Sequence, residues 1–166
     1  MLRWEYINES HIQQLTEFVC DDEPSVKKYL IDEALNNHTM NLAKTKIFYN
    51  KDGNIVGFFS LYNDMMQIGR KKRRKHKLTE LPSYKYYPAI KLHYMGVDSR
   101  YRNKRYGEWI LLSVIHQVKE ISKVSGCLFL TVESLKNAVP FYEKYEFQKL
   151  SNNGNYINMF FNVGDL

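Results

Sequence analysis

The chain has 166 residues, 44% of them hydrophobic and 25% charged, with a formal net charge of +6. That length suits one domain, residues 1–166, burying about 70% of its unfolded-chain surface, and the balance excludes a disordered or fibrous chain. Seven of the 24 Lys and Arg lie between Arg70 and Lys77, so the rest of the chain carries a net charge of −1 and a uniformly basic nucleic-acid binder is excluded.

The chain opens Met1-Leu2-Arg3-Trp4-Glu5-Tyr6 without the apolar stretch of a secretory leader, which points to the cytoplasm. Arg3 to Ile7 alternates polar and apolar residues and predicts a first strand. Asn8 or Ser10 can cap a following helix, in which Ile12, Leu15, Phe18 and Val19 recur at helical spacing. Pro24 starts another helix running to about Asn36, with Val26, Tyr29, Leu30 and Ala34 facing inward. Lys46 to Asn50 and Asn54 to Tyr62 are strands joined by Lys51-Asp52-Gly53-Asn54, a hairpin turn. The run Arg70 to Lys77 reads as a solvated loop or as a contact to a phosphate backbone. The prolines of Leu81 to Pro88 keep that stretch irregular.

Ile90 to Val97 is the next strand and Lys104 to Val124 a long helix. The helix contains the apolar run Trp109 to Ile115, too short to span a bilayer. Cys127 to Glu133 is a further strand. Asn137 then caps a short helix with Pro140 in its first turn, Ser151 to Asn155 make a turn, and Tyr156 to Asn162 form the last strand. Cys20 and Cys127 come without a CxxC pair or a His cluster. They read as two reduced thiols and argue against a metal site.

The segment that carries chemistry joins the strand ending at Val97 to the long helix. Leu111, Val114, Ile115, Val118 and Ile121 give that helix its apolar face. Helix-start N–H groups form an anion site, and Arg100, Arg102, Lys104 and Arg105 place full charges beside it. Cations at a helix start oppose its dipole, so four of them there call for an anionic ligand.

Arg102-x-x-Arg105-x-Gly107 resembles the pyrophosphate loop of the GCN5-related N-acetyltransferases, with Arg105 where that family places its first glycine. A second stretch, Asn137-Ala138-Val139-Pro140-Phe141-Tyr142-Glu143-Lys144-Tyr145-Glu146-Phe147, is similar to a downstream segment of the same family. There Glu146 stands for the usual glycine, and Leu135 occupies a position where an asparagine often contacts the cofactor. The resemblance extends from about Ile90 to Leu150. It implies an α/β fold, a mixed twisted sheet flanked by helices, and direct acetyl transfer from acetyl-CoA to a primary amine.

By the same resemblance Met95, Gly96 and Val97 hold the pantetheine arm. Arg102, Asn103, Lys104, Arg105, Tyr106, Gly107 and Glu108 hold the pyrophosphate, with Asn137 a further cofactor contact. Tyr142 is the implied acid at the departing sulfur, whereas from periodicity alone the core reading wins, since Ala138, Phe141, Tyr142 and Tyr145 form a helical stripe. Its phenol, with a pKa of ~10, is a weak proton donor to a thiol near ~8.5, so its part is a hydrogen bond to developing charge. His93, on the same strand face as Met95 and Val97, and Glu133 are the two candidate bases, each with a structural reading beside it.

The cationic run followed by Leu81-Pro82-Ser83-Tyr84-Lys85-Tyr86-Tyr87-Pro88 is similar to a branch of the family that includes toxins acetylating the amino acid on charged tRNA. Small amines, antibiotics and protein N-termini stay open as acceptors, as does a non-catalytic nucleic-acid-binding module of the same shape. A homodimer also stays open.

Overall fold

The computed structural model describes residues 2–165. The chain divides into two compact units, residues 1–62 with 92–116 and residues 63–91 with 117–166. Its elements begin with β1 (Arg3–Tyr6), α1 (Ile12–Thr16), α2 (Pro24–Asp32), α3 (Ala34–Thr39), β2 (Lys44–Tyr49), β3 (Ile55–Met66) and α4 (Arg70–Lys75). They continue with β4 (Tyr87–Val97), α5 (Tyr106–Ser122), β5 (Phe129–Leu135), α6 (Val139–Glu143), β6 (Gln148–Asn153) and β7 (Tyr156–Asn162). The strands form one mixed sheet in the order β1-β2-β3-β4-β5-β7-β6, flanked by helices, which is the expected α/β class. No helix among the described residues is long and apolar enough to cross a membrane.

In the first unit β1, β2 and the start of β3 pair antiparallel, and Gly53 turns the hairpin at φ +79°. The Asn50 side chain accepts from the N–H groups of Asp52 and Asn54, a local turn that fixes the register. Val26, Tyr29, Leu30 and Ala34 are all buried, as their spacing predicts, and pack with Phe18, Ile47 and Phe58. The helix expected from Pro24 to Asn36 is instead two. It breaks at Glu33, whose φ of −125° leaves the helical region. Asn8 caps a single 3-10 turn, its carboxamide accepting from Ser10 N–H while His11 Nδ1 accepts from Asn8 N–H.

In the second unit β5 pairs antiparallel with β7, and β7 with β6. Met66, Ile68, Leu78, Tyr87, Phe129 and Phe160 form the core there. Several expected boundaries move. The strand assigned to Ile90–Val97 starts at Tyr87 and contains Pro88. The long helix is Tyr106–Ser122 rather than 104–124, and β5 is Phe129–Leu135 rather than 127–133. The turn expected at 151–155 contracts to Gly154 and Asn155, because residues 148–153 pair as β6, a strand the sequence does not suggest.

The basic run is the main correction. It forms the helix α4, not a solvated loop. Leu78 N–H donates to Arg73 O and Lys77 N–H to Arg74 O, with Lys77 at φ +57°; these bonds close the helix in a Schellman motif. Leu78 is buried just beyond and anchors the end.

Candidate acetyl-CoA site

Two glycines shape the end of β4. A Cβ on Gly96 would lie 2.6 Å from Val26 Cγ1, and one on Gly57 would lie 2.6 Å from the Gly96 carbonyl oxygen. Gly96 is therefore required by packing, whatever its part in holding the cofactor. Asp98 N–H donates to Val56 O, and Ser99 N–H donates to Val19 O, which fixes the exit of β4.

Asp98 is the hub of the loop that follows. Its carboxylate is fully buried and accepts from Val19 N–H at 3.0 Å and from Arg100 N–H, Nε and Nη2 at 2.9, 3.0 and 2.8 Å. Burial pushes the Asp98 carboxyl up, but the hydrogen bonds from Arg100 and Val19 outweigh it and hold the group below the usual carboxylate range. Sequence patterning does not single out Asp98, because its partner Val19 lies 79 residues away along the chain.

Residues 99–101 make one 3-10 turn, and α5 opens at Tyr106. Between them Asn103 sits at φ +61° and Arg105 at φ +63°. Arg105 thus adopts the left-handed backbone that a glycine would take most cheaply. Among the described residues, the N–H groups of Asn103, Lys104, Tyr106 and Gly107 donate to no protein group. This is the set of orphan donors that an anion at a helix start needs.

The four cations of this loop do not all wait for a ligand, and here the expectation is corrected. Arg100 is held by Asp98, Arg102 by Asp22, and Arg105 by Glu108 at 2.5 Å. The Arg102–Asp22 pair is bidentate, Nη1 to Oδ2 at 2.6 Å and Nη2 to Oδ1 at 2.9 Å, with Cys20 Sγ a further 3.6 Å from Nη2. The Arg102 hydrogen bond lowers the Asp22 carboxyl, whereas burial raises the Cys20 thiol. Lys104 Nζ lies 5.7 Å from the Tyr101 ring centre. Glu108, named among the cofactor contacts, directs its carboxylate at Arg105, so only its backbone suits an anionic ligand.

In the same unit His93 lies among aromatic rings, 5.0 Å from Tyr29, 4.9 Å from Tyr62 and 4.7 Å from Tyr94 between centroids. Met95 and Val97 share its strand and are half-buried.

In the second unit Tyr142 stands on α6, 8% exposed, with its ring 5.3 Å from both Phe141 and Phe147. The Tyr142 carbonyl accepts from Phe147 N–H, and Glu146 N–H donates to Glu143 O. With Glu146 at φ +67°, this is another Schellman closure, completed by the Tyr142–Phe147 ring contact. Asn137 does not cap α6. It lies in the 3-10 turn Lys136–Ala138, and Ala138 stands at the cap position without a side-chain bond. Glu133 is exposed and accepts from Lys91 Nζ at 2.7 Å.

On α4, Arg73 turns inward. Its Nη1 donates to Leu81 O, Pro82 O and Tyr87 Oη, and its Nη2 donates to Ser83 Oγ at 2.9 Å. His76, one turn on, lies 2.9 Å from Gln148 Oε1 and stacks edge-on against Phe160. Arg70, Lys71, Lys72, Arg74 and Lys75 are exposed, and among the described residues they form no ion pair.

A profile of the acetyltransferase (GNAT) family matches residues 4–147. The chain belongs to this family. It is an acyltransferase, an N-acetyltransferase with acetyl-CoA as cosubstrate, and the reading as a non-catalytic nucleic-acid-binding module gives way. No curated protein matches the sequence. Among solved structures, a tyrosine-to-phenylalanine mutant of KacT aligns with a TM-score of 0.82 and 20% identity over 99% of this chain and 96% of that one. AtaT complexed with acetyl-methionyl-tRNAfMet aligns with a TM-score of 0.81 and 20% identity over 99% and 96%. A structure described as a bacterial toxin gives 0.83 and 15% identity over 99% and 92%. At these identities the likeness establishes the shared fold.

Proposed function

We propose that this acetyltransferase moves the acetyl group directly to the α-amino group of an aminoacyl-tRNA, and that residues 1–166 act as one catalytic domain in the cytoplasm. The observation that carries the acceptor is α4, which keeps five exposed cations on one short helix without an acidic partner among the described residues. Arg70 and Arg74, and Lys71 and Lys75, stand at i,i+4, a like-charge arrangement that destabilises an isolated helix. A polyanion removes that repulsion and releases its own counterions. The AtaT structure with acetyl-methionyl-tRNAfMet supports this reading by analogy of fold.

Acetyl-CoA supplies an activated carbonyl as a thioester. The N–H groups of Asn103, Lys104, Tyr106 and Gly107 hold its diphosphate, and the backbone of Met95 to Val97 holds the pantetheine arm. Tyr142 donates a hydrogen bond to the sulfur as negative charge develops there. The amine nitrogen bonds to the carbonyl carbon, the carbon–sulfur bond breaks, and the nitrogen loses a proton. An α-amine with a pKa of ~8 is about one-tenth neutral at pH 7, so it needs little base. His93 or Glu133 takes the proton, directly or through water.

The test is CoA release with charged tRNA beside free amino acids and small amines, together with tRNA binding across salt concentrations. Replacing Lys71, Lys72, Arg74 and Lys75 with Gln, and leaving the internal Arg73 intact, weakens tRNA binding. The log–log salt slope becomes shallower by about 1 for each phosphate no longer neutralised. A flat salt response, or free amino acids acetylated as fast as charged tRNA, overturns the acceptor assignment.

A further inference from the structure

We infer that Asp22 occupies, in the free enzyme, the edge of the Arg102 guanidinium that a cofactor phosphate takes on binding, so that this carboxylate sets the affinity for acetyl-CoA. The inference rests on the reading that residues 102–107 hold the diphosphate.

Arg102 is the first residue of the loop motif, and its two terminal nitrogens grip both Asp22 oxygens. The planar fork that fits a carboxylate in this way also fits a phosphate. The same edge cannot serve both anions. Cys20 Sγ already lies 3.6 Å from Nη2, which narrows the approaches left to a second ligand.

The three ion pairs of the loop differ in how readily they exchange. Asp98 is fully buried and also holds the Val19 amide, so releasing Arg100 would open the fold. Glu108 is 16% exposed, in the first turn of α5, where a carboxylate also suits the helix dipole. Asp22 is 52% exposed and Arg102 38%, so their pair opens by side-chain rotation and leaves the freed carboxylate in water. Exposed ion pairs are weak enough for a multiply charged ligand to displace. Asp21, Asp22 and Glu23 are consecutive in sequence, and Arg102 neutralises the middle one. In the free protein the pair therefore masks the loop's cation from other anions.

The experiment is calorimetric titration of acetyl-CoA into the unaltered protein and into Asp22→Asn, Asp22→Ala, Arg102→Gln and the Asp22→Asn/Arg102→Gln double variant, with thermal melts to confirm folding. Asp22→Asn and Asp22→Ala each tighten binding about 3- to 10-fold, the range of one exposed charge-assisted pair. In the Arg102→Gln background the same Asn substitution changes affinity by less than about twofold, because the group it competed for is gone. Unchanged or weaker binding by both single variants overturns the inference and makes Asp22 a positioning group for Arg102. Equal tightening in both backgrounds also overturns it, since general repulsion then accounts for the gain. If the unaltered protein binds no acetyl-CoA, the diphosphate reading fails and the inference with it. Measurable binding that Asp22→Asn and Asp22→Ala leave unchanged overturns the inference alone.

Discussion

Glu146→Gly should stabilise the protein, although it removes a charged side chain and adds backbone freedom. Glu146 sits at φ +67° in the turn that closes α6, where its N–H donates to Glu143 O and the next N–H donates to Tyr142 O. An L-residue in that conformation costs about 1–2 kcal/mol, which glycine avoids. Glycine gives back about 0.5–1 kcal/mol through the greater freedom of its unfolded chain. Glu146 is exposed, so its side chain adds little packing, and the expected net gain is about 0.5–1 kcal/mol. For a chain of this size that raises Tm by about 1–4 °C. Urea titration and thermal melts of the protein, Glu146→Gly and Glu146→Ala measure it. Alanine keeps the left-handed penalty, so it should stay within about 0.5 kcal/mol of the parent. A glycine variant no more stable than the alanine variant would refute the reasoning.

Tyr142→Phe should lower turnover by ~10–100-fold while acetyl-CoA affinity stays level, because it removes a bond formed only as the sulfur gains charge; unchanged turnover returns Tyr142 to the core. Asp98→Asn should cost about 2–3 kcal/mol at neutral pH, since it weakens the bonds to a fully buried carboxylate. The folded Asp98 carboxyl lies below its unfolded value of ~3.9, so its stabilisation is present above that pH and is lost as pH falls through the folded value. Urea titrations across pH should therefore show a constant gap between the protein and Asp98→Asn above about pH 5 that closes in acid, and a gap that widens in acid would contradict the assignment.

Most strands and the long helix are legible in the sequence because each has one apolar face, and β7 begins and ends where its pattern says. The strand β6 escapes because its six residues, Gln148 to Asn153, are largely exposed at the edge of the sheet and carry no alternation. The helix α4 escapes for a related reason. Its one buried residue is Arg73, and the half-buried His76 follows at its C-cap, so its inward face is written in the same polar alphabet as its exposed one. No apolar periodicity exists to be read there. At the loop before α5, spacing brings the cations together but says nothing about Asp22, which is 80 residues from Arg102 in sequence. Pairing between distant carboxylates and a motif is a property of the folded chain.

The two departures at glycine positions of the family pattern carry more information than the matches. Arg105 and Glu146 stand where glycines are usual, and both adopt positive φ, +63° and +67°. The fold therefore demands a left-handed residue at each position, and this chain meets the demand at a local cost instead of rerouting the backbone. At 146 the cost is borne by the cap that seats Tyr142 against Phe147. At 105 it is borne immediately before α5, where the preserved turn leaves the neighbouring N–H groups without protein partners among the described residues. Replacement of a motif glycine thus does not reroute the backbone here, because both side-chain-bearing residues keep the left-handed conformation. What changes is the side chain added at each place. Glu146 is solvated, while Arg105 gains a carboxylate on the next helix turn that holds it along α5.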